Sequence, residues 1–527
     1  MCIHVLALAA HAHIAGRPSV LVYGSTPAGC AAAIAAARHN VSVTLLSATT
    51  HLGGMMSGGL SCVDSVGRST VGGIAKEYMD LALSTYKYEN IGHPYCFATA
   101  EPHVLLGTFL SMLRSAGVEV VPEVPLESVE VGVAPRGGGR RVTAVLAGGK
   151  SFAADVFIDA SYEGDVLAGA DVTYRVGREA NRTYSEPHAG RRPLQMPCYS
   201  FDAPVNPFNS SEGRLLPLVS ARASELGPVG SADAKVTAYN YRVCLTNAST
   251  SRVEIARPAD YDGAQFELVR RYLRAAPPTS IHDLLKLYAV ANVSDGFKVD
   301  VNNIGPLSTD LTGGSWAYPE ASPRRRRQIA AAHERYIRGL LWFLASDGAV
   351  PAAVRTQMLA YAWCADEFSD SGNFPPQLYV REARRMVGAA VVTENSLQSA
   401  ADLGNESIAM GLYSFDCHPV QIVANEQLAS TSLEGCIGAS PKRAYQLPYG
   451  AITPRRREAT NLLVPVALSA SHVAFSTIRM ELTWMAIGHA AGVAAALATA
   501  ATAAVQDVDR AELQETLLRE GQVTSLA

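Results

Sequence analysis

Tyr23-Gly24-Ser25-Thr26-Pro27-Ala28-Gly29-Cys30 constrains this chain more than any other segment. It follows the apolar run Val20-Leu21-Val22-Tyr23 and opens an alanine-rich stretch from Ala31 to Arg38, which predicts strand, tight turn and helix. Amides at a helix start lack intrahelical acceptors, and the helix dipole is positive there, so a pyrophosphate docks without a dedicated basic side chain. The glycines fill the first and last positions of the usual G-x-G-x-x-G, with Thr26 at the middle one. A turn of this kind also joins ordinary strands to helices, so its meaning depends on the residues that come after it in the chain.

A second strand, Val41 to Ser47, comes at βαβ spacing and leads to His51-Leu52-Gly53-Gly54-Met55-Met56-Ser57-Gly58-Gly59. Two glycine pairs in one short loop let the backbone approach a flat ligand closely. A flavin domain needs that loop and a nicotinamide domain does not. The candidate cofactor contacts are therefore Gly24, Thr26, Pro27, Ala28 and Gly29 in the turn, Ser47 at the strand end, and His51, Gly53, Gly54, Ser57 and Gly58 in the loop. A later strand, Ala154 to Asp159, closes on Asp159-Ala160-Ser161 and adds contacts at the carboxyl edge of a parallel sheet.

At 527 residues, with 48% hydrophobic and 17% charged residues, the chain is long and apolar enough for two domains or one domain with an insertion. A net charge of -4 gives no long-range attraction for nucleic acid, and the run Arg324 to Arg327 reads as the solvated start of a helix. The nine cysteines show no C-x-x-C pair and no spacing with histidine suited to zinc, so no metal site is expected. Met485 to Val505 is long and apolar but built of Ala and Gly, which predicts a close-packed internal helix and no stable membrane span. Ile3 to Ala10 followed by Ala10-His11-Ala12 resembles a secretory leader without its usual basic start. Sequons at Asn40, Asn181, Asn209, Asn247, Asn292 and Asn405 point the same way. The expected location is the secretory pathway, the alternative a soluble cytoplasmic protein.

Along the chain, Tyr95 to Ser115 reads as loop and helix, and short strands are predicted at Val118 to Val121, Val129 to Val133 and Arg141 to Leu146, with a hairpin tip at Gly137 to Gly139. A long helix is predicted over Ser322 to Ser346. Residues 1–17 form a leader, 18–168 the first part of a nucleotide domain, 169–446 an inserted substrate domain, 447–505 the return to the first fold, and 506–527 a tail.

With these blocks in place, the chain resembles the FAD-dependent oxidoreductase family related to the flavoprotein subunits of fumarate reductase and succinate dehydrogenase. The resemblance runs through Tyr23 to Gly29, His51 to Gly54, Glu101 to Val104, Phe157 to Asp165, Val176 to Ala180, Ser308 to Asp310, Gln377 to Arg385, Asp416 to His418, Leu468 to Phe475 and Ile478 to Glu481. It implies an α/β fold with a Rossmann-like FAD-binding domain of the glutathione-reductase-like two-domain type and a large inserted mixed α+β domain. The implied cofactor is FAD and the implied activity is hydride transfer with a small polar organic substrate, to or from an unidentified electron acceptor. The alternatives are an oxidase using dioxygen and a flavin- or nucleotide-binding scaffold without turnover. One departure matters: Ser47 stands where the family places the glutamate that grips the adenosine ribose, so one charge-assisted hydrogen bond is missing.

The resemblance also places the start of a helix from Ile478 to Ala500 at the flavin pyrimidine, with Ser471 and His472 as electrostatic partners. His472 is a candidate proton carrier or a cap of the loop before that helix. Arg381 and Arg384 share a face if Val380 to Met386 is helical, and Arg381 then contacts substrate or flavin, or joins an Arg–Glu network. Asp416 and His418 form a second candidate relay or a side-chain-anchored turn, and Arg479 completes the catalytic candidates. Cys62, just past the glycine loop, reads as a free packing residue, with covalent flavin attachment as its alternative.

Overall fold

Four consecutive buried residues, Val20–Tyr23, have apolar surface on both faces, which suits only a central strand of a parallel sheet covered on both sides. The computed structural model describes residues 19–64, 66–86, 96–134, 138–194, 198–209, 213–399 and 401–526. In it this strand, β1, is followed by α1 (Pro27–Arg38), β2 (Val43–Leu46), β3 (Glu119–Val121), β4 (Val156–Asp159) and β5 (Leu462–Leu463). These five strands form one parallel sheet in the order β5-β4-β1-β2-β3. That is the order of a doubly wound nucleotide-binding sheet, with the crevice where neighbours of β1 run off to opposite sides.

The start of α1 is built for a close approach. Thr26 caps the helix, its Oγ1 accepting from Gly29 N–H at 3.2 Å and donating to Ala160 O at 2.8 Å, so it ties the helix start to the end of β4. Gly24 has φ +101°, and a Cβ there would lie 2.5 Å from Ser161 N; a Cβ on Gly29 would lie 1.9 Å from Gly24 O.

The C-terminal helix predicted from Ile478 to Ala500 is α3 (Glu481–Ala501), and the residues before it, expected as loop, form a separate short helix, α2 (His472–Ile478). Helix α3 is long and apolar enough to cross a membrane by composition, but 78% of its most apolar window is buried. It packs on α1 so tightly that a Cβ on Gly488 or Gly492 would sit 2.2 Å from Ala28 O or Ala32 O.

Between β4 and β5 the chain builds other sheets, including a five-stranded antiparallel one from Val243–Thr246, Arg252–Val253, Lys286–Val293, Gly296–Asn302 and Ala362–Cys364. The predicted long helix is Pro323–Ser346, capped by Ser322. Of its arginine run, Arg324, Arg325 and Arg327 are exposed while Arg326 donates twice to Asp165. One apolar cluster runs from α1 and α3 through Val243, Leu245 and Leu340, so these regions share a continuous core.

Two expectations are overturned. Val380 to Met386 is not helical: Arg385–Met386 is a short strand and Arg381 and Arg384 do not share a helix face. Arg384 turns to Asp165 and Glu320, and Arg381 to Asp310. Cys62 is not a free thiol. It is joined to Cys96, and Cys198 to Cys436, with Cα–Cα distances of 5.3 and 6.3 Å. The leader at 1–17 lies outside the described residues, as do Tyr95, Gly137 of the hairpin tip and the Ser210-Ser211 part of one sequon.

Candidate functional site

At the carboxyl edge of the sheet, Ser25, Thr26 and Ala28 carry backbone N–H groups with no acceptor among the described residues. They stand at the N-terminus of a twelve-residue helix whose first position is Pro27, a group of donors suited to a pyrophosphate. Ser47, 2% exposed, meets Ser25 Oγ at 2.8 Å, so both hydroxyls lie together at the end of β2. Asp159 uses its carboxylate locally: Oδ1 accepts from Ser161 N–H and Oγ, Oδ2 from Leu167 N–H. Burial pushes this carboxyl up to about 6.

The glycine loop lies beside this edge. Gly53 has φ +86° and Gly54 φ +50°, and a Cβ on Gly58 would meet Gln377 at 2.6 Å. His51 Nε2 lies 3.1 Å from Ser57 Oγ and 3.2 Å from Gly54 O, and burial holds the imidazole down to about 4, so it is neutral. The loop is tied to α3 through Tyr162, whose hydroxyl accepts from Met55 N–H at 2.9 Å and donates to Glu481 Oε1 at 3.0 Å. Glu481 Oε2 and Trp484 Nε1, both buried on the first turn of α3, have no partner among the described residues. A carboxyl oxygen and an indole N–H left unpaired beside a glycine-lined loop match the mixed polar edge of a flavin ring.

The catalytic candidates converge at a second place. Arg381, Asp416, His472 and Arg479 line one cavity with room for about one water molecule, about 10 Å³, together with Thr237, Glu382 and Cys417. His418 stands behind it. Its Nδ1 meets Asp310 Oδ2 at 2.6 Å and its Nε2 meets Asp416 Oδ2 at 3.4 Å. Each carboxylate also holds an arginine: Arg381 Nη2 donates to Asp310 Oδ1 at 3.0 Å, and Arg479 Nη2 to Asp416 Oδ2 at 2.6 Å. The order Arg381–Asp310–His418–Asp416–Arg479 is a continuous chain of paired side chains. Burial opposes ionisation of both acids, but Arg381 and His418 hold Asp310 below its usual range, and His418 and Arg479 do the same for Asp416. The Tyr379 ring lies 4.8 and 5.6 Å from the two guanidinium carbons. Nε of Arg381 and Nε of Arg479 are buried without a partner among the described residues.

The sequence left His472 as a proton carrier or a cap, and the cap is its neighbour Ser471. Ser471 Oγ accepts from Ala474 N–H and donates to Glu186. The His472 ring is free of that duty and points to Glu382 Oε2, 2.8 Å from Nδ1, and Cys417 Sγ, 3.3 Å from Nε2. Burial alone would lower this imidazole; Glu382 and Cys417 outweigh it and lift it to about 10. Arg385, Glu179, Asp310 and Glu481 were not singled out in the sequence, and Glu382 only as a neighbour of Arg381 and Arg384, because their main partners, Glu179 with Arg385, Asp310 with Arg381, Glu382 with His472 and Glu481 with Tyr162, lie far apart in the chain. The flags that could have pointed to them are their positions inside or beside the blocks that carry the resemblance.

Elsewhere, Glu101, His103, Asp366 and Glu367 approach closely enough to hold a cation, and Lys298 Nζ already stands 2.5 to 3.0 Å from the three carboxylates. A hollow of about 450 Å³ beside Lys76, Asp80 and Glu520 shares no residue with either site.

No curated protein matches the sequence significantly. Partial likeness extends to solved structures: Thermovibrio ammonificans THI4 (18% identity, 31% of this chain and 66% of that one, TM-score 0.25), thioredoxin reductase from Streptococcus pyogenes (21%, 32% and 40%, 0.18) and L-proline dehydrogenase from P. horikoshii (10%, 31% and 58%, 0.23). The chain spans less than two thirds of the length of each, and at these TM-scores the likeness carries no argument about substrate or mechanism. The model of the family described as FAD dependent oxidoreductase matches residues 19–517, and the chain, with its parallel sheet and helix-start amides, belongs to that family.

Proposed function

We propose that the enzyme transfers hydride between FAD and a small polar, anionic organic substrate whose carboxylate is received by Arg381 and Arg479, the one-water cavity beside them widening to admit it. The observation that carries this is the pair of buried guanidinium groups lining one small cavity, Nε of each without an acceptor among the described residues. A buried cationic donor left unpaired costs roughly 1–3 kcal/mol or more, which a carboxylate ligand would remove. This reading keeps the kinship with fumarate-reductase-like flavoproteins and the inserted substrate domain. Residues 169–446 supply Asp310, Arg381, Asp416 and His418, while 447–505 supply His472 and Arg479.

In this reading the amides of Ser25, Thr26 and Ala28 hold the pyrophosphate, Ser25 and Ser47 face the ribose, and the Gly53 to Gly58 loop, Tyr162 and Glu481 border the flavin ring. FAD, when bound, supplies a two-electron carrier that gives or takes hydride at N5. Arg381 and Arg479 orient the substrate anion. His418, shared between Asp310 and Asp416, moves the accompanying proton at Nε2, and the charged His472 gives the cavity fixed positive potential.

Anaerobic mixing of the holoenzyme with a panel of small carboxylic acids and neutral analogues tests this. A carboxylate should bleach the flavin, and Arg381→Lys and Arg479→Lys should keep FAD but raise KM by about tenfold or more, since lysine loses the planar fork. A neutral compound that bleaches the flavin with KM unchanged in both variants would refute the anion contact. Rapid reoxidation by dioxygen, with stoichiometric peroxide, would identify an oxidase.

A further inference from the structure

Cys417 lines the same cavity and is 2% exposed. His472 Nε2 lies 3.3 Å from its Sγ, which also lies 3.7 Å from His418 O, and His472 Nδ1 lies 2.8 Å from Glu382 Oε2. Sulfur, imidazole and carboxylate stand in a row in which a base reaches the nucleophile and a third group orients the base, the arrangement that activates thiols. The row is held from outside. Thr237 N–H donates to Glu382 Oε1 at 2.9 Å, Arg385 Nη1 to Oε2 at 3.3 Å, and the His472 backbone N–H to Glu179 Oε2 at 3.0 Å. The charged groups facing the imidazole are Glu382, Arg385 and Glu179; those facing the sulfur and cavity are Arg192, Arg381, Arg479 and Asp416.

The other free cysteines among the described residues have no such partner. Cys30 is pushed up to about 12 by burial, and Cys244 and Cys364 face each other across paired strands.

We propose that Cys417 is a nucleophile of this site, a thiolate held by the His472 imidazolium, positioned by Glu382, and directed at soft carbon electrophiles of the conjugated-alkene class. Sγ gives its electron pair to the β-carbon, the C=C pair shifts toward the conjugated carbonyl as an enolate, and the Nε2 proton of His472 ends on the α-carbon. A thioether forms, the imidazole is left neutral, and no electrons enter or leave the site. The step does not depend on hydride transfer, so it stands apart from the function proposed above.

The test uses the holoenzyme with FAD content matched. The 240 nm absorbance of wild type minus Cys417→Ser, recorded from pH 5 to 10, should show one thiolate already present at neutral pH, and His472→Asn should abolish it. Acrylamide labelling of the wild type followed by peptide mapping should modify Cys417 about tenfold faster than Cys30, Cys244 or Cys364. It reads the same property without a variant should Cys417→Ser fail to fold. A thiolate signal appearing only above about pH 8, as for an ordinary thiol, or acrylamide modifying Cys417 no faster than the other three, would overturn the proposal. Loss of substrate-driven flavin bleaching with both thiol signals intact would instead count against the proposed function alone.

Discussion

Glu481 shows how a single residue departs from its usual chemistry. It is 1% exposed, accepts one bond from Tyr162 and leaves Oε2 unpaired, and burial pushes its carboxyl up to about 8. Between the ordinary glutamate range near 4.5 and that value the folded state keeps a proton that the unfolded chain releases. Its contribution to stability is therefore full below pH 4.5 and is lost as pH rises through about 8. Glu481→Gln, which still offers an oxygen to Tyr162, should flatten the fall in urea-unfolding free energy between pH 5 and 8 and leave the variant more stable than wild type at pH 8. Parallel pH profiles for the two proteins would show that this carboxyl ionises normally. At this scale the sequence exposed His472, Arg381, Asp416, His418 and Arg479, since His, Arg and Asp are the residues that carry protons and anions. It hid Asp310 and Glu382, because a buried carboxylate and a solvated one are written with the same letter, and only the fold brings Asp310 to Arg381 and His418.

The elements obey the same logic. Strand β1, the turn and α1 were legible because four apolar residues, a glycine turn and alanines with Pro27 at the first helical position leave few alternatives. Val380 to Met386 was misread because charges spaced i, i+3 look like a helix surface, whereas here each arginine is buried against an acid from a different element. The short helix His472–Ile478 was read as loop as well, since seven residues capped by one serine give too little periodicity to mark a helix. The contact of α1 with α3 decides whether the phosphate-facing turn keeps its shape. Gly488 faces Ala28 O, one residue after Pro27, so Gly488→Ala should push the helix start off the sheet edge, cost about 1–3 kcal/mol and lower bound FAD. Gly107→Ala, in Pro102–Ser115 with nothing within 4 Å, should instead be neutral or stabilising by about 0.4–1 kcal/mol. Thermal melts with FAD quantified by absorbance check both; a Gly488→Ala protein with wild-type melting and full FAD would mean the helices do not touch there.

For the whole molecule, the return of β5 to a sheet begun by β1 was readable from order alone, whereas the two disulfides were not. Their partners lie 34 and 238 residues apart, and cysteine spacing says nothing at such range. Cross-links of this kind persist where thiols are oxidised, which supports a secretory-pathway location as a reading of the chain. Asn40, Asn181, Asn292 and Asn405 are exposed, while Asn247 is half-buried and its Oδ1 accepts from Phe297 N–H. Expressed through a eukaryotic secretory route, the protein should therefore lose mass on treatment with an N-glycosidase, and Asn292→Gln and Asn405→Gln should each remove one glycan, whereas Asn247→Gln should remove none. Non-reducing peptide maps should recover Cys62 with Cys96 and Cys198 with Cys436, and replacing either pair by serine should cost roughly 3–5 kcal/mol through the freed loops. A protein that carries no glycan and keeps all four of these cysteines as titratable thiols would contradict the secretory reading and both cross-links together.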